Sequence, residues 1–192
     1  MRKLIISCNI TVDGFMAGPG GGSPPSIPKM LSSLDFIVDD PEQENDLAAR
    51  FEEAVDTIVF GRKTYVVMQD AWSPLDSRMA AWINGATKVV LSNNSDFDVS
   101  IWTNATLAAG DAVEQVRALK ESSGGALVMF GGVQTIRAVV NAGLVDEYWL
   151  KISPVATGQG SSMFAELCER QELKLTGVKG FPSGMIDTTY TT

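Results

Sequence analysis

Three short segments of this chain carry residue types that could hold a phosphorylated ligand. The first is Gly131-Gly132, which ends the mostly apolar run Ala126-Leu127-Val128-Met129-Phe130 and opens a helical pattern through Val133, Ile136, Val140 and Leu144. A buried strand that stops at paired glycines and turns into a helix presents bare backbone N–H groups, and oriented amides and the helix dipole there favour negative charge. The second is Gly61-Arg62-Lys63-Thr64, after the strand-like run Thr57–Phe60. Gly61 permits close approach, the N–H groups of residues 62–64 point outward, Arg62 can fork a phosphate and Thr64 adds a hydroxyl. The third is Leu91-Ser92-Asn93-Asn94, which offers neutral donors and no nearby acid, a pattern that favours a 2′-phosphate over a bare ribose diol. Each segment alone also reads as turn chemistry or glycine packing. Their joint occurrence at three strand ends favours a binding site beyond the carboxyl edge of a parallel sheet.

The rest of the composition narrows the chemistry. The chain has no histidine, which removes Ser-His-Asp and Cys-His catalysis and every histidine-containing zinc site. Proton chemistry is left to carboxyl groups, Tyr, Lys, Cys or water, and no metal is called for. A net charge of −8 argues against nonspecific nucleic-acid binding, and an anionic ligand needs a local basic pocket. With 45% apolar and 20% charged residues the chain reads as globular. No apolar run approaches the roughly 18 residues of a membrane span and no secretory signal is evident, so the expected location is cytoplasmic, without a membrane partner. Cys8 and Cys168 are expected to be buried free thiols, and the four tryptophans to serve the core or an interface.

These segments must be positioned by a fold, and 192 residues suit a single α/β domain. Leu4 to Thr11 reads as a strand, followed by a Gly/Pro-rich loop from Asp13 to about Ser33, of the length that marks a functional lid or an insert. A helix is predicted over Pro41 to Val55, with Leu47, Phe51, Ala54 and Val55 on one face. Ser73-Pro74-Leu75-Asp76 reads as the start of another, with Leu75, Met79, Trp82 and Ile83 buried. Thr87–Leu91 and Glu147–Ser153 read as strands, Asp111–Lys120 as an amphipathic helix, and residues 172–179 and 185–190 as a terminal hairpin. Alternating strands and helices predict a three-layer, mostly parallel central sheet with a C-terminal antiparallel hairpin.

With those elements in place, the N-terminal run Met1 to Pro19 resembles that of the dihydrofolate-reductase-like family. The similar branch is the reductase domain of bacterial riboflavin biosynthesis and its single-domain relatives. Phe60-Gly61-Arg62-Lys63-Thr64-Tyr65, Phe130-Gly131-Gly132, and Lys151-Ile152-Ser153-Pro154-Val155 with Gly158 and Gly160 fall in the family's order and approximate spacing. The resemblance covers essentially the whole chain. Two features depart from it: Asp35-Phe36 stands where relatives carry Asp-Trp, and the loop over residues 14–34 is longer than theirs.

The resemblance implies NADPH as cofactor. Arg62, Lys63 and Thr64, after Gly61, would meet the pyrophosphate and adenosine phosphate. Leu91, Ser92 and Asn93 would hold the adenine ribose end. Gly131, Gly132, Val133, Gln134 and Thr135 would contact the pyrophosphate and nicotinamide ribose, and Met16 and Ala17 would border the nicotinamide. In the family the glycine pair often has a cis peptide and the glycine-rich loop is a lid. Asp46 fits the position of the carboxylate that grips the pterin in dihydrofolate reductases, with Asp39, Asp40, Glu44 or an ordered water as alternative proton sources. The implied reaction is hydride transfer to a C=N or C=O group of a small heterocyclic or sugar-derived substrate: a pyrimidine ribosylamine, a pterin-like ring, or a substrate of neither kind. An NADPH-binding sensor or assembly protein without turnover is the alternative. Relatives often dimerise through the sheet edge or the C-terminal strands, and the apolar alternation at Tyr148, Leu150 and Ile152 permits a homodimer.

Overall fold

The structure, a computed structural model, describes residues 1–18 and 34–192. Most of the expected lid, residues 19–33, lies outside the described residues. In chain order the described elements are β1 (Leu4–Thr11), α1 (Pro41–Ala54), β2 (Val55–Gly61), α2 (Arg62–Trp72), α3 (Arg78–Gly85), β3 (Thr87–Ser92), β4 (Ala105–Ala109), α4 (Ala112–Glu121), β5 (Ala126–Met129), α5 (Val133–Asn141), β6 (Glu147–Ser153), β7 (Lys174–Gly180) and β8 (Ile186–Thr191).

The strands form an eight-stranded sheet in the order β4-β3-β2-β5-β1-β6-β8-β7. β4 through β6 run parallel, and the terminal hairpin adds β8 and β7 antiparallel at one edge. Both faces are covered, so the inner strands are apolar on both sides. Leu4, Ile6, Val59, Leu127, Met129, Tyr148 and Leu150 pack with Ile136, Val139 and Val140 of α5. Their neighbours Ile5, Ile58, Phe60, Val128 and Trp149 pack on the other face with Leu47 and Phe51 of α1 and Met79 and Ile83 of α3. This alternation is the period of two that a strand imposes on its side chains.

Local chemistry sets the helix starts. The Asp40 carboxylate accepts from Gln43 N at 3.0 Å and Pro41 occupies the first turn, so α1 begins as a capped helix. Val55, extended at φ −116°, ends it and begins β2 directly. The helix expected from Ser73 begins later, because Ser73 closes α2 by donating its N–H to Gln69 O, at 3.0 Å. The N-cap of α3 is Ser77, whose Oγ accepts from Ala80 N at 3.2 Å, and Leu75 is left 52% exposed. The reading of residues 61–64 as a turn missed the full helix α2 that it opens, and β4 is a five-residue, Ala-rich strand with no buried position. Cys8 is buried as expected, whereas Cys168 is exposed. Tyr148 and Leu150 are core residues of an inner strand and are not free to form an interface.

Lys88 is fully buried in β3. Its ammonium donates to the carbonyls of Asn84 and Ala86, both at 2.9 Å, and of Thr103 at 3.3 Å, and lies 4.6 Å from the centre of the Trp102 ring. It ties the end of α3 to the β3–β4 connection. Burial pushes its pKa from 10.5 down to about 8. The folded chain therefore releases this proton near pH 8 while the unfolded chain keeps it to about 10.5. Between those values the unfolded state binds more protons, and stability rises with pH. Urea denaturation across this window is expected to show a stability increase in the wild type that is absent from Lys88→Met.

Candidate active site

The three segments singled out by residue type end neighbouring strands. Ser92 closes β3, Gly61 closes β2 and Phe130-Gly131-Gly132 follows β5, and the sheet order places β3, β2 and β5 side by side. The two glycine turns interlock. A Cβ at Gly61 would lie 2.8 Å from Thr135 Oγ1, and one at Gly132 would lie 3.1 Å from Thr64 Oγ1. Each turn is thus filled by the threonine that follows the other. Gly132 has φ +86°, a left-handed conformation that side chains disfavour. All described peptide bonds are trans, including that of the glycine pair.

Gly61 and Gly132 are the N-caps of α2 and α5, and neither helix has a side-chain cap. Two helix N-termini without a side-chain cap among the described residues therefore lie on adjacent strands, an arrangement that suits an anion. Arg62, Lys63 and Gln134 are exposed beside them, Thr64, Val133 and Thr135 are half-buried, and Arg62 lies 5.7 Å from the Phe97 ring. On β3 the geometry is more restrictive. Leu91 is 4% exposed with its side chain in the core, and Ser92 Oγ accepts from Asn94 N at 3.0 Å, leaving Asn93 as the exposed polar group.

Met16 and Ala17 are buried where the chain leaves β1. Met16 N donates to Ser161 O and Ser161 N to Ala17 O, both at 2.8 Å, so they pair with the segment after β6. Asp13 fixes the same junction. Its carboxylate accepts from the Thr11 hydroxyl at 2.5 Å and from Gly158 N at 2.7 Å, and these bonds hold its pKa below the ordinary value. Asp13 is a turn anchor, with its oxygens committed to the protein.

Next to this edge lies a cavity of about 340 Å³ between the sheet, α1, α2 and α3. Leu47, Phe51, Trp72, Met79 and Phe130 form apolar wall, and Met16 joins it to the turn side. Trp72 is therefore a cavity residue as well as a core neighbour. Asp39, Asp40 and Glu44 line the cavity, and Ser7, Asn9, Gln43 and Lys151 supply the remaining polar groups. Asp46 does not line it, since its carboxylate accepts from Lys179 Nζ of β7 at 2.9 Å. Asp40 is occupied as the α1 cap, Glu44 accepts from Ser77 Oγ at 2.8 Å, and Asp39 is exposed. Cys8 also borders the cavity. Burial pushes its thiol up to about 12, and its Sγ donates to Phe130 O at 3.4 Å, a packing role rather than that of a nucleophile. The residues that sequence reasoning did not single out as a site are Gln43 and Lys151. Lys151 entered the sequence reading only within the run Lys151 to Val155, and its signal as a site was a lysine directly after the apolar run Tyr148-Trp149-Leu150.

The interlock makes a direct prediction. Gly61→Ala should cost about 1–3 kcal/mol through overpacking against Thr135. The same change in a Thr135→Ala background should cost measurably less, because the nearest remaining atom is Thr135 Cβ, at 3.8 Å. Urea denaturation of the four members of this double-mutant cycle checks it, and additivity would remove the proposed contact.

Comparisons with known proteins agree with this geometry. The model of the RibD C-terminal domain matches residues 2–186. The uncharacterized Bacillus subtilis (strain 168) protein YyaP is 28% identical over 198 residues, spanning 98% of this chain and 94% of that one. The Thermotoga maritima diaminohydroxyphosphoribosylaminopyrimidine deaminase/5-amino-6-(5-phosphoribosylamino)uracil reductase superposes with a TM-score of 0.66 at 13% identity, covering 99% of this chain and 56% of that one. Enterococcus faecalis dihydrofolate reductase, solved with NADP(H), gives a TM-score of 0.56 at 19% identity, covering 98% and 95%. At such identities these two structures establish a shared fold, which is dihydrofolate-reductase-like. With its family model matched from residue 2 to residue 186, the chain belongs to the RibD C-terminal domain family, a family of reductase type.

Proposed function

We propose that this protein is an NADPH-dependent reductase acting on a C=N or C=O group of a small heterocyclic substrate. The observation that carries the reading is the pair of uncapped helix N-termini, at Gly61 and Gly132, interlocked on adjacent strands beside a mostly apolar cavity. The residues present fit the cofactor. The α2 and α5 amides, with Arg62, Lys63 and Thr64, suit its phosphates, the Gly131–Thr135 turn suits its pyrophosphate and nicotinamide ribose, and the Leu91–Asn93 turn suits its adenine ribose end. Met16 and Ala17 would border the nicotinamide at the cavity mouth. Bound NADPH supplies a hydride in such a site. The chain's share is orientation, water exclusion and a proton. Leu47, Phe51, Trp72 and Phe130 give a substrate ring an apolar wall, in a cavity that polar groups also line.

Arg62→Ala tests the cofactor assignment. A charge-assisted contact to the 2′-phosphate is worth about 1.5–3 kcal/mol, so NADPH affinity should fall about 10- to 150-fold while NADH affinity changes little. Equal losses for both dinucleotides, read by fluorescence titration, would contradict it. Substrate class is tested by following NADPH oxidation with a pyrimidine ribosylamine and with a dihydropterin. Tight NADPH binding with no oxidation across a wider imine and carbonyl panel would instead favour a sensor or assembly role.

A homodimer is part of this proposal, with its contact at the sheet edge. β7 is an edge strand, and Leu175, Val178 and Ile186 of the hairpin are 51%, 66% and 42% exposed. Such an apolar edge invites pairing unless it is covered. Val178→Lys is expected to convert the dimer to monomer in sedimentation equilibrium, and a wild-type monomer at the same concentration would dismiss the contact.

A further inference from the structure

Among the described residues lining the cavity, Lys151 is the single cation. It stands on the inner strand β6, opposite Asn9 of β1 and Asp187 of β8, and is 8% exposed. Among the described residues its three N–H donors meet one acceptor, Ser7 Oγ, at 3.4 Å. The natural counter-ion, Asp187, is turned elsewhere. Both of its oxygens accept from Gln43 Nε2, at 3.2 and 3.0 Å, and no ion pair joins it to Lys151 among the described residues.

The same fold shows what a structural buried lysine looks like. Lys88 gives its donors to three carbonyls. Lys120, 4% exposed, donates to Leu144 O at 2.6 Å and pairs with the Asp146 carboxylate. Lys151 alone of these three holds donors in reserve, and it holds them at the wall of a cavity. The carboxylates that line the cavity do not compete for its role. Asp40 caps α1, Glu44 is bonded to Ser77, and Asp39 is exposed.

We propose that Lys151 is the catalytic acid of the reductase, its ammonium holding and then protonating the heteroatom of the C=N or C=O bond that is reduced. The inference rests on the reductase reading above. In the step, a hydride forms the new C–H bond and the π electron pair of the double bond moves onto the heteroatom. That atom takes a proton from Lys151, which becomes a neutral amine; the hydride would come from bound NADPH, which would leave as NADP⁺. Water entering the cavity returns the proton to the amine. The surroundings favour release. Burial lowers the Lys151 pKa, opposed in part by Cys8 of β1 and Asp187 of β8 and assisted by Arg50 of α1. The protonated form is needed for turnover, so the rate falls as pH rises through this lowered value.

Two measurements on the full-length protein test the assignment. The first needs no substrate: competitive acetylation with acetic anhydride, read by mass spectrometry as pH is raised, with NADPH bound. Lys151 should react at lower pH than Lys3, whose pKa is raised by Glu147. A Lys151 that stays unlabelled wherever Lys3 reacts is sealed and structural, which overturns the proposal. The second uses the pyrimidine ribosylamine or the dihydropterin, whichever is reduced. Lys151→Met should lower kcat about 100- to 10,000-fold, the usual worth of general acid catalysis, with a smaller rise in KM from the lost hold on the heteroatom and NADPH affinity nearly unchanged. The alkaline fall in wild-type kcat should vanish in the variant. Turnover within about threefold of wild type, or an unchanged alkaline limb, would overturn the assignment. Absence of NADPH binding to the wild type would instead mark failure of the reductase reading, and with NADPH bound but neither acceptor reduced, the labelling result decides.

Discussion

The structure turns on the reciprocal contact between two glycine turns. Parallel neighbours in a sheet run about 4.8 Å apart, so the helices that follow β2 and β5 begin almost in contact. They fit because Gly61 leaves room for Thr135 and Gly132 leaves room for Thr64. The consequence is electrostatic as well as steric. Two helices start side by side without side-chain caps, so their amides and dipoles converge on one place. A chain with a net charge of −8 repels anions at a distance, and this local field, reinforced by the exposed Arg62 and Lys63, is what can reverse that.

Helix α1 performs a second joining task, between core and cavity. Phe51 stacks on Trp82 at 4.7 Å and on Trp149 at 5.5 Å, so one aromatic ring connects α3, α1 and the sheet while also facing the cavity. The polar residues of the same helix are largely committed to structure. Asp40 caps it, Gln43 reaches Asp187 on β8, Glu44 holds Ser77 at the start of α3, and Asp46 anchors Lys179 of β7. A helix that binds so many neighbours fixes the shape of the cavity, and its carboxylates are held by that work.

This explains which parts could be read from residue order. The sheet, the three strand-end segments and the hairpin were legible because strand periodicity and glycine punctuation are local signals. The start of α3 was not, because Ser73 and Ser77 are both credible caps and the choice depends on where α2 ends. That helix runs to Trp72 and is closed by the Ser73 N–H on Gln69 O, which leaves the α3 cap to Ser77. β4 is mostly alanine, which favours no strand, and is defined by pairing with β3. Asp46 illustrates a further limit. Its place in the first turns of α1 matched the expected carboxylate, but which face of a helix meets a cavity depends on packing, and β7, far away in sequence, claims that side chain.

Lys151 was hidden for a related reason. In sequence it is a charged residue near an end of a strand, which ordinarily means solvent. Only the sheet order, with β8 and β7 laid beside β6, makes that position interior. The comparison with Lys88 then gives the position its meaning. Both lysines forfeit hydration, and an unsatisfied buried donor costs about 1–3 kcal/mol. Carbonyls offset that cost for Lys88 within the folded chain. For Lys151 the cross-strand carboxylate, Asp187, accepts from Gln43 instead. A buried cation left short of acceptors at a cavity wall is complete only when something in the cavity accepts from it, and in a hydride-transfer site the atom that gains electron density is the acceptor such a cation fits.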